Sequence, residues 1–264
     1  MTASPKGIDT TVPHPARVYD YWLGGKDNFE ADRRTAEAGY RAFPGVLQSV
    51  RANRAFLARV VRHLVTEAGI RQFLDIGSGL PTASNTHEIA QEKAPESRIV
   101  YVDSDPVAVL HAQVMLRSAP EGRTAFFQAD ARDPALVLNY AAATLDFRKP
   151  VAVILFGVLH FLPDEEQVAG IVAALSAAIA PGSHLAISHL ASDIEPETVT
   201  RFADSMAENG FPRLALRDRA QVAGQFTGLD LLDPGVVPVS RWRPDTGAEA
   251  DAVTVLWGGV ARKP

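Results

Sequence analysis

The stretch FLDIGSGLPT, residues 73–82, decides the fold. An apolar run ends at Asp75, and Gly77 and Gly79 follow two residues apart. Glycines allow a tight turn and let a ligand approach the backbone without a Cβ in the way. A helix that begins after such a turn presents free N–H donors to the ligand. The motif predicts a strand, a turn and a helix that hold a nucleotide-like cofactor, and a plain tight turn is the alternative.

The residues behind the glycines restrict the cofactor. The dinucleotide pattern G-x-G-x-x-G requires a third glycine at position 82, where this chain has Thr82. Pro81 has no N–H to donate and a fixed φ, which is typical of the first turn of a helix rather than of a pyrophosphate cradle. S-adenosylmethionine carries a carboxylate and no phosphate, and that carboxylate could use the same region, so the turn alone leaves the cofactor open.

Composition excludes several classes of protein. Of the 264 residues, 47% are apolar and 22% are charged, as in ordinary globular proteins. The net charge of −5 and the pI of about 5.8 give no reason to expect a nucleic-acid or anionic-membrane partner. The absence of cysteine excludes disulfides and thiolate chemistry. Neither a secretory signal nor an apolar run of membrane-spanning length is present, so we expect a cytoplasmic protein. Arginine far outnumbers lysine, which is typical of a high-GC bacterial genome.

Strand-like and helix-like segments alternate from residue 70 onward, which predicts an α/β fold with a doubly wound parallel sheet. The predicted strands are 71–76, 97–103, 124–130, 151–157 and 183–189, with helices near 84–94, 106–117, 134–143 and 165–179. Further helices (195–208, 218–225), weak strands within 229–239 and a final strand at 251–261 follow.

The chain before residue 70 has helical spacing and little strand character. It contains a predicted helix at 30–42 and an amphipathic helix that Gly69 ends. We therefore expect two parts, a helical N-terminal extension over residues 1–69 and an α/β domain over residues 70–264.

Ligands of such sheets bind at the carboxyl ends of the strands. Asp103 follows the second strand, 24 residues after Gly79, and suits the ribose hydroxyls. Its alternative role is to cap the next helix, for which Ser104 and Asp105 are equally suited.

Asp130 follows the third strand and could accept a hydrogen bond from the adenine amine, beside the N–H of Ala131. Its alternative role is again to cap the next helix, although Asp133 already suits that role. After the fourth strand come Phe156, Gly157 and His160, near the expected reacting end.

The first three strand ends carry D-x-G-x-G, Asp and Asp, and LHFLPDEE follows the fourth strand. This arrangement resembles that of the class I S-adenosylmethionine-dependent methyltransferases. Five longer stretches of the sequence narrow the resemblance. They are HPARVYDYWLGGKDNFEADR (14–33), VRANRAFL (50–57), FLDIGSGLPTASNTHEIAQ (73–91), VYVDSDPVAVLHA (100–112) and GVVPVSRWRPD (235–245). It is similar to the bacterial S-adenosyl methyltransferase family, formerly a domain of unknown function, over nearly the whole chain.

The resemblance implies a Rossmann-like sheet of seven strands whose last strand is antiparallel, with S-adenosylmethionine as the cofactor. It also implies that the cofactor is held by Asp75, Gly77, Ser78, Gly79, Asp103, Ser104, Asp130, Ala131, Phe156 and Gly157. Pro81 is then acceptable, because no pyrophosphate has to be bound.

Methyl transfer needs a base only when the nucleophile must lose a proton. His160 and His189, after the fourth strand and at the end of the fifth, are the candidate catalytic residues, and an ordinary structural role is the alternative for each. His87 and Glu88 are expected to be surface or capping groups. No cluster of His, Asp and Glu has metal-ligand spacing, so we expect no catalytic metal.

The N-terminal extension carries a second set of candidates for a lid or a substrate contact. Aromatic side chains could form a wall that favours a sulfonium ion by cation–π contact, with simple packing as the alternative. Two arginines that flank Asn53 could bind a carboxylate, unless they form a solvated face. The residues of this set are Tyr19, Tyr21, Trp22, Asn28, Arg51 and Arg54.

The leading interpretation is a methyltransferase that uses S-adenosylmethionine and acts on an oxygen or nitrogen nucleophile of a small molecule. A protein that binds S-adenosylmethionine without transferring its methyl group is one alternative, and an NAD-dependent oxidoreductase is another. The sequence leaves open the identity of the acceptor and the choice between a monomer and a homodimer.

Overall fold

A single twisted sheet organises the computed structural model, which describes residues 8–82, 84–115 and 117–264. Its strand order is β3-β2-β1-β4-β5-β8-β6, and β7 also pairs with β8. Strands β1 to β5 are parallel, whereas β8 runs antiparallel to β5, β6 and β7. The strands are β1 (Gln72–Ile76), β2 (Arg98–Asp103), β3 (Arg123–Gln128), β4 (Ala152–Phe156), β5 (His184–Leu190), β6 (Asp230–Leu231), β7 (Val237–Pro238) and β8 (Leu256–Arg262).

The doubly wound sheet with an antiparallel last strand is confirmed, and β7 adds a two-residue strand to the expected seven. Strand order reverses between β1 and β4, and the crevice at such a reversal is where ligands bind in open α/β sheets. The glycine turn and the segment after β4 therefore meet at one point.

Helices cover both faces of the sheet. They are α1 (Pro15–Trp22), α2 (Glu30–Ala42), α3 (Val46–Thr66), α4 (Thr86–Lys93), α5 (Pro106–Met115), α6 (Pro134–Ala141), α7 (Glu165–Ala178), α8 (Pro196–Glu208), α9 (Arg219–Gly224) and α10 (Gly247–Ala250), with 3₁₀ turns at Leu159–Phe161 and Val239–Arg241. Because successive strand residues alternate between faces, Phe73 lies in the same core as Phe56 of α3, whereas Leu74 lies in the core that Leu175 of α7 joins. Burial on both faces explains why β1, β2, β4 and β5 are largely apolar, whereas the edge strand β3 is only half-buried.

Several predicted boundaries are wrong. Helix α4 begins at Thr86, so Pro81 lies in the preceding loop and not in a helical first turn. The helix starts there because the Glu88 carboxylate accepts the Asn85 N–H at 2.7 Å, which confirms a capping role for Glu88. His87 is only 2% exposed, so it is not a surface group. Its backbone N–H donates to the Tyr101 hydroxyl at 2.7 Å.

The last strand begins at Leu256, five residues later than predicted. The short helix α10, capped by the Thr246 hydroxyl, ends at Ala250, and residues 251–255 form a turn and a loop before the strand. Val255 then hydrogen-bonds outside the ladder, because its N–H donates to Ser49 Oγ and its carbonyl accepts from the Ala191 N–H.

Candidate active site

The glycine turn after β1 is built around two left-handed residues. Gly77 has φ +71° and Gly79 has φ +69°, and the Gly77 N–H donates to the Val102 carbonyl at 2.7 Å. A Cβ on Gly77 would collide with Val158 Cγ2, so the segment after β4 packs directly on the turn. A Cβ on Gly79 would meet no atom of the described chain within 4 Å. The turn therefore has open space beside Gly79, as the close approach of a bound cofactor requires.

Asp103 connects the end of β2 to the same turn. One carboxylate oxygen accepts the Gly79 N–H at 2.8 Å and the other accepts the Asp105 N–H at 2.9 Å. Burial raises the pKa of Asp103 above its usual value. The cap of α5 comes from Asp105, which accepts the Val107 N–H at 3.0 Å, so Asp103 does not serve as that cap. Ser104 beside it is exposed.

Asp130 lies two residues beyond the end of β3, and the carboxylate is already engaged. Both of its oxygens pair with the Arg132 guanidinium, each 3.0 Å from Nε. The hydrogen bond from Arg132 lowers the pKa of Asp130. The cap of α6 comes from Asp133, which accepts the Leu136 N–H at 3.0 Å. An adenine amine at Asp130 would thus share its oxygens with Arg132, next to the half-buried Ala131.

Asp75 lies beneath the turn and is almost completely buried. Its carboxylate accepts a 2.6 Å hydrogen bond from the Thr86 hydroxyl, and burial raises its pKa to about 6. The positive charge of Arg54 acts in the opposite direction on this pKa. Arg54 also donates to the Ser84 carbonyl at 2.9 Å, whereas Arg51, one helical turn earlier on α3, is exposed. Of the two predicted arginines, Arg54 faces the glycine turn.

Gly157, just after β4, forms the other side of the crevice. Its φ is +67°, and a Cβ there would lie 3.6 Å from His160 Cε1 and 4.0 Å from Asn53 Nδ2. The His160 Nδ1 atom is buried without a hydrogen-bond partner among the described residues. Burial, followed by His189 and Arg217, lowers the pKa of His160 well below its usual value. The structure therefore brings a neutral imidazole and an amide together at Gly157.

Phe156 faces α3 rather than the crevice floor. Its ring stacks on Phe56 with centroids 4.8 Å apart. This stacked pair anchors α3 over the carboxyl end of β4, and so determines where Asn53 stands relative to Gly157.

His189 lies within β5 and not at its end, and it is completely buried. Nδ1 lies 2.9 Å from the Leu190 carbonyl, which can only accept, so Nδ1 carries the proton. Nε2 lies 2.7 Å from Arg217 Nη1 and accepts from it. Burial lowers the pKa of His189 to about 4. Both ring nitrogens are therefore already in hydrogen bonds.

Arg217 is a buried residue that the sequence did not single out. Its guanidinium also donates to the carbonyls of Leu159 at 3.1 Å and Leu162 at 2.8 Å. Those two carbonyls bracket the 3₁₀ turn that carries His160. In the sequence it stands between Arg213 and Arg219, and no local signal distinguishes it from these neighbours.

The predicted N-terminal aromatic residues do not form one wall. Tyr19 faces the crevice, where its hydroxyl receives a hydrogen bond from Asn53 at 3.2 Å. Trp22 packs away from it, and its indole N–H donates to the Ala36 carbonyl at 3.0 Å. Tyr21 points to Glu37 at the surface. Asn28 donates to the buried Asp20 at 2.9 Å and so shapes the loop between α1 and α2.

Part of the N-terminal extension, from Ile8 onward, nevertheless packs beside the glycine turn. Ile8 and Phe29 pack in one apolar cluster with Leu80 of the glycine turn and Val107 of α5. Beside this cluster, Arg17 Nε lies 3.4 Å from an Asp105 oxygen and His14 Nδ1 lies 3.2 Å from the same atom. The N-terminal segment is thus held by apolar and charged contacts at the point where Asp103 meets the turn.

No group of three or more His, Cys, Asp or Glu residues within the described ranges is arranged to hold a metal ion. Within the same ranges, no helix combines the length and apolar character that crossing a membrane requires.

The strand order, the glycine turn and the acidic residues at the next strand ends define a class I S-adenosylmethionine-dependent methyltransferase. Residues 1–264 match the model of the S-adenosyl methyltransferase family, and the chain belongs to that family. S-adenosylmethionine is accordingly its cofactor, and the turn with open space at Gly79 fits it.

Two solved structures are similar over their whole length. One is a DUF574 family protein from Streptomyces avermitilis, 45% identical, with a TM-score of 0.93 over 97% of this chain and 99% of that one. The other is a proposed methyltransferase from Thermobifida fusca, 40% identical, with a TM-score of 0.91 over 100% of this chain and 99% of that one. No curated sequence matches the chain.

More distant structures share the fold. The plantazolicin methyltransferase BpumL, in complex with S-adenosylhomocysteine, is 11% identical with a TM-score of 0.54 over 94% of this chain and 95% of that one. An O-methyltransferase family 2 protein from Planctomyces limnophilus, in complex with apigenin, is 16% identical with a TM-score of 0.52 over 94% of this chain and 65% of that one.

Proposed function

We propose that this protein transfers the methyl group of S-adenosylmethionine to an oxygen or nitrogen nucleophile of a small molecule in the cytoplasm. The observation that carries the proposal is the position of Gly157. It lies beside the glycine turn and has two polar side chains, His160 and Asn53, against it. An acceptor bound there would reach the cofactor from the side opposite the turn.

The chain supplies position and shielding rather than the reactive group. S-adenosylmethionine brings a methyl group already activated by its sulfonium. In our proposal Gly77, Ser78 and Gly79 surround the amino-acid part of the cofactor, together with Asp75 beneath them. The outer part is held by Asp103 and Ser104 at the ribose and by Asp130 and Ala131 at the adenine, while Phe156 and Gly157 border the reacting end. The protein then contributes to the rate enhancement by orienting the nucleophile and excluding water.

His160 is the residue we assign to the acceptor. Its buried Nδ1 has no partner within the described chain, and its lowered pKa keeps the ring neutral near pH 7. A neutral imidazole can accept a hydrogen bond from an O–H or N–H nucleophile and orient its lone pair. His189 has no nitrogen left for this task, because Leu190 and Arg217 occupy both. We assign His189 a supporting role instead.

The cover over the site favours a small acceptor. Ile8 and Phe29 pack on Leu80 of the glycine turn and Val107 of α5, which narrows the approach for a bulky substrate. The P. limnophilus relative in fold is in complex with apigenin, a small molecule. That example supports the substrate class and says nothing of the particular acceptor.

The first experiment measures thermal unfolding with S-adenosylmethionine, S-adenosylhomocysteine and NAD. A ligand at about 100 times its dissociation constant stabilises the folded state by roughly 2.7 kcal/mol, which is easily measured. We expect a shift with the first two and none with NAD. Methyl-labelled S-adenosylmethionine is then incubated with a panel of phenols, alcohols and amines. Label in a product supports transfer to a small nucleophile, whereas binding without transfer across the panel contradicts the proposal.

A further inference from the structure

The side-chain amide of Asn53 has an orientation that the surrounding hydrogen bonds determine. The Tyr19 hydroxyl donates its only proton to the Val50 carbonyl at 3.1 Å, and a carbonyl can only accept. The same hydroxyl can therefore only accept from Asn53, whose Nδ2 lies 3.2 Å away. The amide nitrogen is directed at Tyr19, and its oxygen must be directed elsewhere.

That oxygen, Asn53 Oδ1, is an unused hydrogen-bond acceptor. The residue is only 5% exposed, and Oδ1 is buried with no partner in the described part of the chain. Buried acceptors are seldom left unpaired, because the lost hydration is not replaced. The nitrogen of the same amide would lie 4.0 Å from a Cβ on Gly157, which places the Asn53 side chain beside the crevice between β1 and β4. A ligand with an N–H donor would satisfy Oδ1 there.

Arg54, the next residue of α3, is a hydrogen-bond donor rather than an acceptor. Arg54 donates to the Ser84 carbonyl in the loop that follows the glycine turn. That hydrogen bond places the guanidinium beside the loop, and its positive charge opposes the burial that raises the pKa of Asp75. Adjacent residues thus offer a fixed acceptor and a cation. An α-amino acid group, with an ammonium and a carboxylate on one carbon, matches this pair.

We propose that Asn53 and Arg54 bind the amino-acid end of S-adenosylmethionine: Asn53 Oδ1 accepts from the ammonium group, and the Arg54 guanidinium donates to the carboxylate. Tyr19 is then a positioning residue, because it directs the amide without touching the ligand. This inference rests on the proposed function only through its cofactor, and it is independent of the acceptor.

Calorimetric titration with three ligands tests the assignment. S-adenosylhomocysteine has the whole amino-acid group, its deaminated analogue keeps only the carboxylate, and 5′-methylthioadenosine has neither. Hydrogen bonds to charged groups are the stronger ones, so we expect Asn53→Leu and Arg54→Met each to weaken S-adenosylhomocysteine about tenfold or more. Only Arg54→Met should weaken the deaminated analogue, and neither variant should change the affinity for 5′-methylthioadenosine by more than about twofold.

Two exposed positions of α3 provide matched controls. Gln48→Leu repeats the amide-to-leucine change, and Arg62→Met repeats the arginine change at the far end of the helix, where Arg62 pairs with Asp245. Both should bind all three ligands like the wild type. If Asn53→Leu does not fold, Tyr19→Phe provides a milder change: it frees the amide to rotate and should weaken S-adenosylhomocysteine while 5′-methylthioadenosine binds normally.

The outcomes separate cleanly. Equal losses for S-adenosylhomocysteine and 5′-methylthioadenosine would show that Asn53 and Arg54 act through the fold, which overturns the inference. Unchanged affinity for S-adenosylhomocysteine in both variants would overturn it as well. Failure of the wild type to bind any adenosine ligand would instead contradict the use of the cofactor, and the inference would fall with it.

Discussion

The Nε2 atom of His189 lies 2.7 Å from Nη1 of Arg217, so a buried guanidinium donates to a buried imidazole. The contact joins β5 to the segment after α8, 28 residues later. The same guanidinium donates to the carbonyls of Leu159 and Leu162, on either side of His160. Burial, with a smaller effect of Arg217, keeps His189 neutral, and the same guanidinium holds the turn that presents His160 to the crevice.

Replacing this cation should destabilise the protein. In Arg217→Met, two carbonyls and the His189 lone pair lose their donor inside the protein, and each unpaired buried acceptor is costly. We expect the free energy of unfolding to fall by about 2–4 kcal/mol in urea titrations. The matched control is Arg213→Met, at an exposed position nearby, which should change it by less than about 0.5 kcal/mol. A loss for Arg217→Met no larger than that of the control would contradict a supporting role for this network.

Asp75 predicts a pH dependence of stability. Its pKa is about 6 in the folded protein and 3.8 in an unperturbed carboxyl. The folded state therefore binds the proton more tightly, and this contribution to stability is lost as the pH rises through that interval. Asp75→Asn cannot ionise, so its stability relative to the wild type should improve by about 2–3 kcal/mol between about pH 4 and about pH 7.

Urea titrations of both proteins across that range measure this difference. Thr86→Val is the control, because it removes the hydroxyl that donates to Asp75 but leaves the carboxyl in place. It should keep the pH dependence of the wild type or steepen it. A flat difference between Asp75→Asn and the wild type would mean that Asp75 titrates normally.

The sequence predicted the fold more completely than the site. Alternating apolar runs locate β1 to β5 within two residues, because burial on both faces leaves a strong local signal. Strand β3 ends two residues earlier than predicted, so Asp130 lies beyond the strand, where it pairs with Arg132. Strand β5 extends one residue further than predicted, to Leu190, so His189 is its penultimate residue and not its last.

The remaining features depend on contacts between distant residues. The orientation of Asn53 is determined by Tyr19, 34 residues earlier, and no local pattern encodes it. Arg217 acquires its partners from β5 and from the turn after β4, which only the folded chain brings together. By contrast, Asp103 and Gly79 could be paired from the spacing alone, because neighbouring parallel strands end at the same edge.

Arg17 tests whether the N-terminal segment closes the site. Its buried guanidinium donates to the carbonyls of Asp9 and Val12, lies beside Asp105 and covers the Phe29 ring at 5.3 Å. In Arg17→Met the segment loses these contacts, and the buried Asp105 keeps the Val107 N–H and His14 beside it but loses the guanidinium. We expect faster chymotryptic cleavage within the first 30 residues, because removing one partner of a buried charge pair costs about 3–5 kcal/mol of stability. We also expect about tenfold weaker binding of S-adenosylhomocysteine, a loss of roughly 1.4 kcal/mol, because the loosened segment packs less firmly on the glycine turn.

The control for this change is Arg41→Met, in the exposed last turn of α2. It should leave both the cleavage pattern and the affinity unchanged. Faster cleavage of Arg17→Met with wild-type affinity would show that the segment covers the site without contributing to ligand binding.

Gly79 and Gly69 form a natural pair for separating backbone strain from ligand access. Their φ angles are +69° and +67°, and a Cβ on either one would meet no described atom within 4 Å. Alanine at each position should therefore cost a similar amount of stability, about 1 kcal/mol, because both must keep a left-handed backbone.

Gly69 lies before β1, at the edge of the sheet opposite the crevice, whereas Gly79 borders the site. We expect Gly79→Ala to bind S-adenosylhomocysteine about tenfold or more weakly, a loss of roughly 1.4 kcal/mol, and Gly69→Ala to bind it normally. Urea titration and calorimetry on the two variants measure both quantities. Equal affinities would mean that the open space beside Gly79 is not where the cofactor binds.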